Sequence, residues 1–571
     1  VIGTYAAVAA ICVSSLAIGQ AAVLLCGGKR WSWLAPAVGL ALLCALCWGT
    51  VRLPGRGVVS AVLVLVLMVA AVVYLWGRGE GAGEALATGW PVALIALLAA
   101  SLPFAVEGHF GILGTSFNPD MSQHLLAADR LAEGHSSQLL SQGYPLGPHS
   151  IVVALNKGLG IGLVQGFSGL TVAVAILACL TALAAFAELP WLPRMGGALL
   201  VGLAYVVASY FAQGAFKETM QALFLLAFVL ALREADRGWS ELPLRYVPAA
   251  LIAVGSVYTY SFPGLIWLGG AAVLWTIFTR PAAKPLGLAL LAFVVLVAPE
   301  IGRMIEFHSF ETFDPNGPGL GNLFGQISPF EVLGIWPSGD FRLAPGDGAV
   351  PAAAYYLGIA FALALFAYGV VQLWRRRETA ILSGLGAAAL AYAAARVGGT
   401  PYTAAKAIEI AAPIVALAIF LPLFDRVVGL LPAIGGKVPP QRMVLPVASV
   451  LFVLAAGACS LLALANAPVG PTSYSSTLSE YRKLVGEGPT LVIASPQLLE
   501  EEHGGPFISW ELRGGRVCIQ STEEAGKLPP GIRFVIKDED GWTLRKVPHP
   551  TGGKSPCPLI AERQARQGPA R

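Results

Sequence analysis

Apolar runs of about 17–25 residues recur along this chain from its first residues to position 466, separated by short polar breaks. A helix of that length crosses the hydrocarbon core of a bilayer. The pattern predicts fourteen spans, near residues 3–26, 34–50, 58–76, 89–105, 166–187, 195–212, 219–233, 247–260, 264–279, 285–300, 352–373, 379–396, 404–424 and 443–466. Residues 1–26 read as a span, or as a trimmed N-terminus, and not as a cleavable signal. Residues 150–165 are amphiphilic and read as a short re-entrant or interfacial helix. The expectation is an α-helical polytopic membrane domain over 1–466, with about 12–14 transmembrane helices and two long polar loops, 106–150 and 301–351.

Beyond residue 466 the pattern changes, and charged residues, Gly and Pro become frequent. TLVIAS (490–495), PFISWEL (506–512), RVCIQ (516–520) and RFVIKDE (533–539) read as strands, and PQLLEEEH (496–503) as a short helix. The Gly-Gly at 514–515 and the Asp-Gly at 540–541 are hairpin-turn signals. The segment 467–571 is therefore expected to be a small α/β domain with a disordered tail after Ile560.

Composition agrees with the periodicity. The chain is 56% hydrophobic and 12% charged, where soluble chains carry about 25% charged residues. The net charge of +4 makes no electrostatic case for a nucleic-acid partner. Lys and Arg concentrate in one set of short loops, including the Arg375–Arg377 triplet, Lys29, Arg30 and Arg194. Assigning that set to the cytoplasm places the N-terminus, both long loops and the C-terminal domain outside, and makes the chain a multi-pass plasma (inner) membrane protein. Six cysteines lie in apolar segments and read as packing residues. Cys518 and Cys557 lie in the polar tail, where an oxidising compartment would allow a disulfide and a reducing one would leave two thiols.

Against this apolar background, polar groups gather in four outside segments. In FNPDMSQH (117–124), Asp120 follows a proline and can begin a helix, with His124 on the same face at i,i+4. A carboxylate at the membrane boundary is a candidate general base; a solvated N-cap is the plainer alternative. Glu107 precedes this motif, and GYPLGPHS (143–150), with Tyr144 and His149, is a rigid aromatic stretch suited to a pocket wall. Lys217 and Glu218 stand together at a helix start. Arg303 and Trp336 belong to the 300–345 segment, whose aromatic residues can stack on a sugar or an isoprenoid, or simply pack. In ARVGGTPYTAAKAIEI (395–410), Lys406 and Glu409 are i,i+3; either these two form a mutual ion pair, or Lys406 and Arg396 hold an anionic phosphate at the membrane surface. No HExxH, GxSxG, P-loop or zinc-spaced cysteine set occurs, so ATP- or nucleotide-sugar-driven chemistry is not expected.

FNPDMSQH, GYPLGPH (143–149) and PYTAAKAIEI (401–410), with the layout of many spans, two long outside loops and a C-terminal soluble domain, resemble the GT-C superfamily of integral membrane glycosyltransferases. The chain departs from that family in placing four predicted spans before the loop with the acidic residue. The resemblance implies a polyprenyl-phosphate sugar donor, an envelope glycan or lipid acceptor, and inverting transfer with Asp120 as base. It assigns Glu107, His124, Tyr144, His149, Glu218 and Trp336 to the acceptor pocket. Arg303, Lys406, Arg396 and Lys217 would stabilise the leaving phosphate. Some members use a divalent cation (Mg or Mn) and others none; here Asp120 and His124 would be its ligands. A polysaccharide polymerase or ligase with a diphosphate-linked donor, a lipid or solute transporter, and a non-catalytic subunit are the alternatives.

Overall fold

The computed structural model describes residues 1–78, 80–115, 117, 120–237, 242–308, 319–430, 440–500, 504–523, 528–539, 541–550, 552 and 557. Asn118, Pro119, Asp314, Asp540 and the tail expected to be disordered lie outside the described residues.

The chain is mostly helical. Among the described residues, ten helices are long and apolar enough to cross a membrane, or eleven if Trp191–Gly202 and Tyr205–Ala212, which meet at 50°, form one broken span. Fourteen spans were expected, and the difference has identifiable causes. Ala35–Val51 is apolar but only 17 residues long. Phe216–Arg237 carries charge at both ends. The expected spans 247–260 and 264–279 join in one assigned helix, Val247–Thr279.

That last helix is a hairpin. An unbroken helix would hold Tyr246 and Trp275 about 43 Å apart, yet their rings lie 5.1 Å apart. The reversal falls at Ser261, with φ 59° and ψ −156°. Pro263 follows closely, and a proline lacks the N–H that would continue the helix. Gln221 ties the turn: its Nε2 donates to the Gly264 carbonyl at 2.9 Å, and its Oε1 accepts from Ser256 Oγ at 2.8 Å. A Cβ on Gly264 would sit 2.4 Å from Ser256 Oγ, so the two arms approach this closely only because the residue is glycine.

Burial separates central from peripheral helices. Leu163–Ala182 and Pro401–Val428 are 94% and 100% buried, whereas Arg56–Leu75 and Ala283–Phe307 are 11% and 17% buried. The peripheral pair presents Val66, Val73, Leu291 and Val295 outward. Water would disfavour such continuous apolar surface, while hydrocarbon would not.

The C-terminal segment forms a four-stranded sheet in the order β2-β1-β3-β4, with β1 Thr490–Ala494, β2 Val517–Ser521, β3 Phe534–Asp538 and β4 Trp542–Lys546. β1 is parallel to β2 and β3, and β3 is antiparallel to β4. The expected strand at PFISWEL is instead the helix Gly504–Glu511. A parallel β1–β2 pair needs a crossover, and Ile508 and Leu512, one turn apart, are both fully buried beneath it. The Gly514–Gly515 pair accordingly links a helix to a strand, not two strands. Cys518 and Cys557 are joined in a disulfide.

The C-terminal segment is tied to the first long loop. Ile112 N donates to Gly470 O at 3.1 Å, Gly470 N to Ile112 O at 2.8 Å, and Gly114 N to Pro468 O at 2.7 Å. The helix Gly504–Glu511 packs on Met121–Glu133, the helix that Asp120 begins.

Candidate functional site

A cavity of about 380 Å³ opens where four chain segments meet. Asp120 and His124 come from the start of one helix and Tyr144 from the loop before Gly147–Leu159. Lys217 and Glu218 come from the first turn of Phe216–Arg237, and Lys406 from the second turn of Pro401–Leu430. Six of the residues singled out in the sequence thus share one wall-lined space. The hairpin tip adds Tyr260, Pro263, Ile266 and Trp267.

Asp120 occupies the N-cap of its helix, and its backbone carbonyl accepts from Gln123 N at 3.0 Å. Its side chain makes no capping hydrogen bond and lines the cavity instead. The carboxylate interacts electrostatically with both Lys217 and Lys406.

The two lysines are held differently. Lys406 Nζ lies 3.0 Å from Glu218 Oε1 and 4.2 Å from the centre of the Tyr402 ring. Glu218 also accepts from the Tyr260 hydroxyl at 3.4 Å. The i,i+3 pair of Lys406 with Glu409 read from spacing is therefore replaced by a pair between helices. Glu409 is fully buried, and neither of its carboxylate oxygens has a hydrogen-bond partner among the described residues. Lys217 Nζ sits 3.9 Å from the centre of the Tyr144 ring, a cation–π contact.

Behind this wall, His124 Nδ1 and His149 Nε2 are 3.1 Å apart, one ring donating to the other. That arrangement needs at least one neutral imidazole. His149 belongs to Gly147–Leu159, a helix too short to cross a bilayer, and is fully buried; burial pushes its pKa down to about 3. His149 orients His124 and does not line the cavity.

Besides His149, four of the residues assigned to the site from the sequence stand elsewhere. Arg303 donates to the carbonyls of Leu140 at 3.1 Å and Tyr144 at 2.7 Å, so its guanidinium braces the segment carrying Tyr144. Gly143 allows that approach, because a Cβ there would sit 2.3 Å from Arg303 O. Arg396 is exposed and donates to Gln326 Oε1 at 2.6 Å. Trp336 is buried edge-on against Tyr355, with ring centres 4.9 Å apart. Glu107 is exposed, and its carbonyl oxygen lies 3.0 Å from His109 Nδ1. None of the four lines the cavity.

Conversely, Tyr260, Trp267 and Tyr402 line it and were not singled out. Tyr402 precedes Lys406 by one helical turn, the one signal that could have marked it. The second long loop closes the rim: Asn322 Nδ2 donates to the Phe117 carbonyl at 2.9 Å and also to Gln213, while Arg342 stacks 4.3 Å from Phe117.

Among the described residues no three His, Cys, Asp or Glu side chains converge as a metal site. Of the cavity's two carboxylates, Glu218 is engaged by Lys406 and Asp120 faces both ammonium groups. His124 directs one ring nitrogen to His149. This donor set does not fit a divalent cation. A scan against protein-family models finds none that matches the chain, and no curated protein matches it.

Proposed function

We propose that this chain is a multi-pass plasma-membrane glycosyltransferase that moves a sugar from a polyprenyl-phosphate donor to a cell-envelope glycan or lipid on the extracytoplasmic side, with inversion. The observation that carries the reading is the shared cavity: the Asp120 carboxylate and the Lys217 and Lys406 ammonium groups line one space, whose wall also carries aromatic and apolar side chains from the hairpin tip.

Asp120 takes the proton of the acceptor hydroxyl as its oxygen attacks the anomeric carbon. The bond from that carbon to the phosphate oxygen breaks, and the lipid phosphate leaves with one more negative charge than the donor carried. Asp120 loses a negative charge in the same event. Lys217 and Lys406, which interact with Asp120 at rest, thus meet nearly constant total charge while its location shifts. Fixed cations at the place where charge develops are the largest common source of rate enhancement. Trp267 and the tyrosines offer faces for a sugar. Ile266 is 54% exposed, so the apolar wall runs out onto the outer surface, where an isoprenoid can lie. The C-terminal α/β domain lies on the same outer side, packed on the Asp120 helix.

The test is an in vitro transfer assay with purified protein, a panel of polyprenyl-phosphate and polyprenyl-diphosphate sugars, and envelope acceptors. Transfer from a monophosphate donor, lost in a folded Asp120→Asn variant, is the expected result. Transfer from diphosphate donors alone would make the protein a polymerase or ligase. Undiminished transfer by Asp120→Asn would remove Asp120 from the chemistry.

A further inference from the structure

A second cavity, of about 300 Å³, lies at the other end of the helix bundle. Helix Phe216–Arg237 touches both cavities, with Glu218 at the first and Glu234 at the second. Sixteen residues of helix separate them by about 24 Å. Lys29, Arg30 and Arg194 line the second cavity, together with Glu84 and Glu234, and cations are in excess.

The site is built, not incidental. The buried side chain of Gln20 fixes the 30–32 loop: its Nε2 donates to Arg30 O at 3.1 Å and its Oε1 accepts from Ser32 N at 3.0 Å. Trp31 N donates to Glu80 O at 3.0 Å, tying the loop to the next helix pair. Trp33 packs so tightly on Gly89 that a Cβ there would sit 2.2 Å from the indole. Two donors on this wall, Trp31 Nε1 and Arg194 Nε, are buried without an acceptor among the described residues. Both nitrogens are enclosed by the chain, and an anion in the cavity would instead serve as acceptor for the Lys29, Arg30 and Arg194 side chains that line it.

The surroundings say what carries that acceptor. Leu86 and Trp90, one turn apart on Ala82–Ala100, are 69% and 56% exposed; Trp191 and Leu192, beside Arg194, are 64% and 62% exposed. A ligand with its anion at Arg194 would lay any apolar portion along these side chains. The geometry points to a binding site for the phosphodiester headgroup of an anionic phospholipid, with its acyl chains on Leu86, Trp90 and Leu192. Basic pockets between helices at the positively charged membrane face suit such headgroups. This inference is independent of the chemistry assigned to the Asp120 cavity, since it needs only the opposite end of the bundle.

Native mass spectrometry of the purified 571-residue chain tests it. The chain is released from phosphatidylcholine nanodiscs doped with phosphatidylglycerol, with and without inorganic phosphate. Wild type should retain one phosphatidylglycerol, and Arg194→Gln should weaken retention about tenfold. Lys29→Gln/Arg30→Gln, on an exposed loop, should act in the same direction and decides the matter if Arg194→Gln fails to fold by gel filtration and circular dichroism. Undiminished retention in the folded variants, or equal retention of phosphatidylcholine, overturns the site. Displacement by inorganic phosphate makes it a soluble-anion site and overturns the lipid.

Discussion

Lys406 Nζ on one central helix lies 3.0 Å from Glu218 Oε1 on another, with 13% and 7% of the two side chains exposed. Removing one member of such a pair leaves a buried charge uncompensated, at about 3–5 kcal/mol, whereas removing both costs far less. Lys406→Met should therefore lower the unfolding midpoint strongly, and Lys406→Met/Glu218→Gln should recover most of it. Denaturation of the purified variants in one detergent checks this; equal losses in single and double variants would count against a buried pair.

Lys217 is held by aromatic faces instead, so its removal should act on chemistry more than on stability. Lys217→Met is expected to lower kcat about 10²–10³-fold, as for loss of one charge-stabilising donor. Initial rates with donor and acceptor varied separately test it. A change in acceptor KM alone would place Lys217 in acceptor binding.

The sequence made half of this site legible, because polar side chains stand out where nearly everything else is apolar. Asp120, His124, Tyr144, Lys217, Glu218 and Lys406 were visible for that reason. Spacing along one helix suggested Glu409 as the partner of Lys406; it cannot report a neighbour on a different helix, and Glu218 was missed as partner though not as a site residue. Tyr260 and Trp267 escaped because an aromatic residue in an apolar run looks the same whether it packs or lines a cavity. PFISWEL carries the strand-forming residues Phe, Ile and Trp, yet the crossover between parallel strands required a helix there. Membership of the bundle was legible throughout, since each expected span coincides with helix, but the two spans joined at Ser261 hid a reversal that the Ser261 backbone and the Tyr246–Trp275 contact expose.

His149 gives a pH dependence. Its pKa falls from an ordinary 6.5 to about 3 on burial. Between those values the unfolded chain binds a proton that the folded chain does not, so stability falls as pH drops below 6.5, by about 1.4 kcal/mol per pH unit from this group. His149→Gln should flatten that slope. Unfolding midpoints from pH 7 to pH 5 for both proteins measure it, and parallel curves would contradict the burial argument.

The Cys518–Cys557 bond closes a 39-residue separation. Its loss should cost the C-terminal domain about 2–4 kcal/mol. Cys518→Ser should become protease-sensitive within 467–571 while the helical region stays resistant. In wild type, thiol reagents should reach these two sulfurs only after reduction.

Ser261 holds a backbone conformation that suits glycine, with φ 59° and ψ −156°. Such strain costs about 1–3 kcal/mol. Ser261→Gly should raise the unfolding midpoint, and Ser261→Val should lower it. The opposite order would mean that the Ser261 hydroxyl contributes more than its backbone costs.

The hydrogen bonds between residues 112–114 and 468–470 also fix an order of events. The segment leading into Asp120 cannot take its final partners until about 350 further residues exist. At ribosomal speeds of about 5–20 residues per second, that is a wait of roughly 20–70 s. The base proposed for the reaction is synthesised about 350 residues before the segment that completes its surroundings, so a chain truncated before residue 468 would assemble most of its helices yet leave its cavity unfinished.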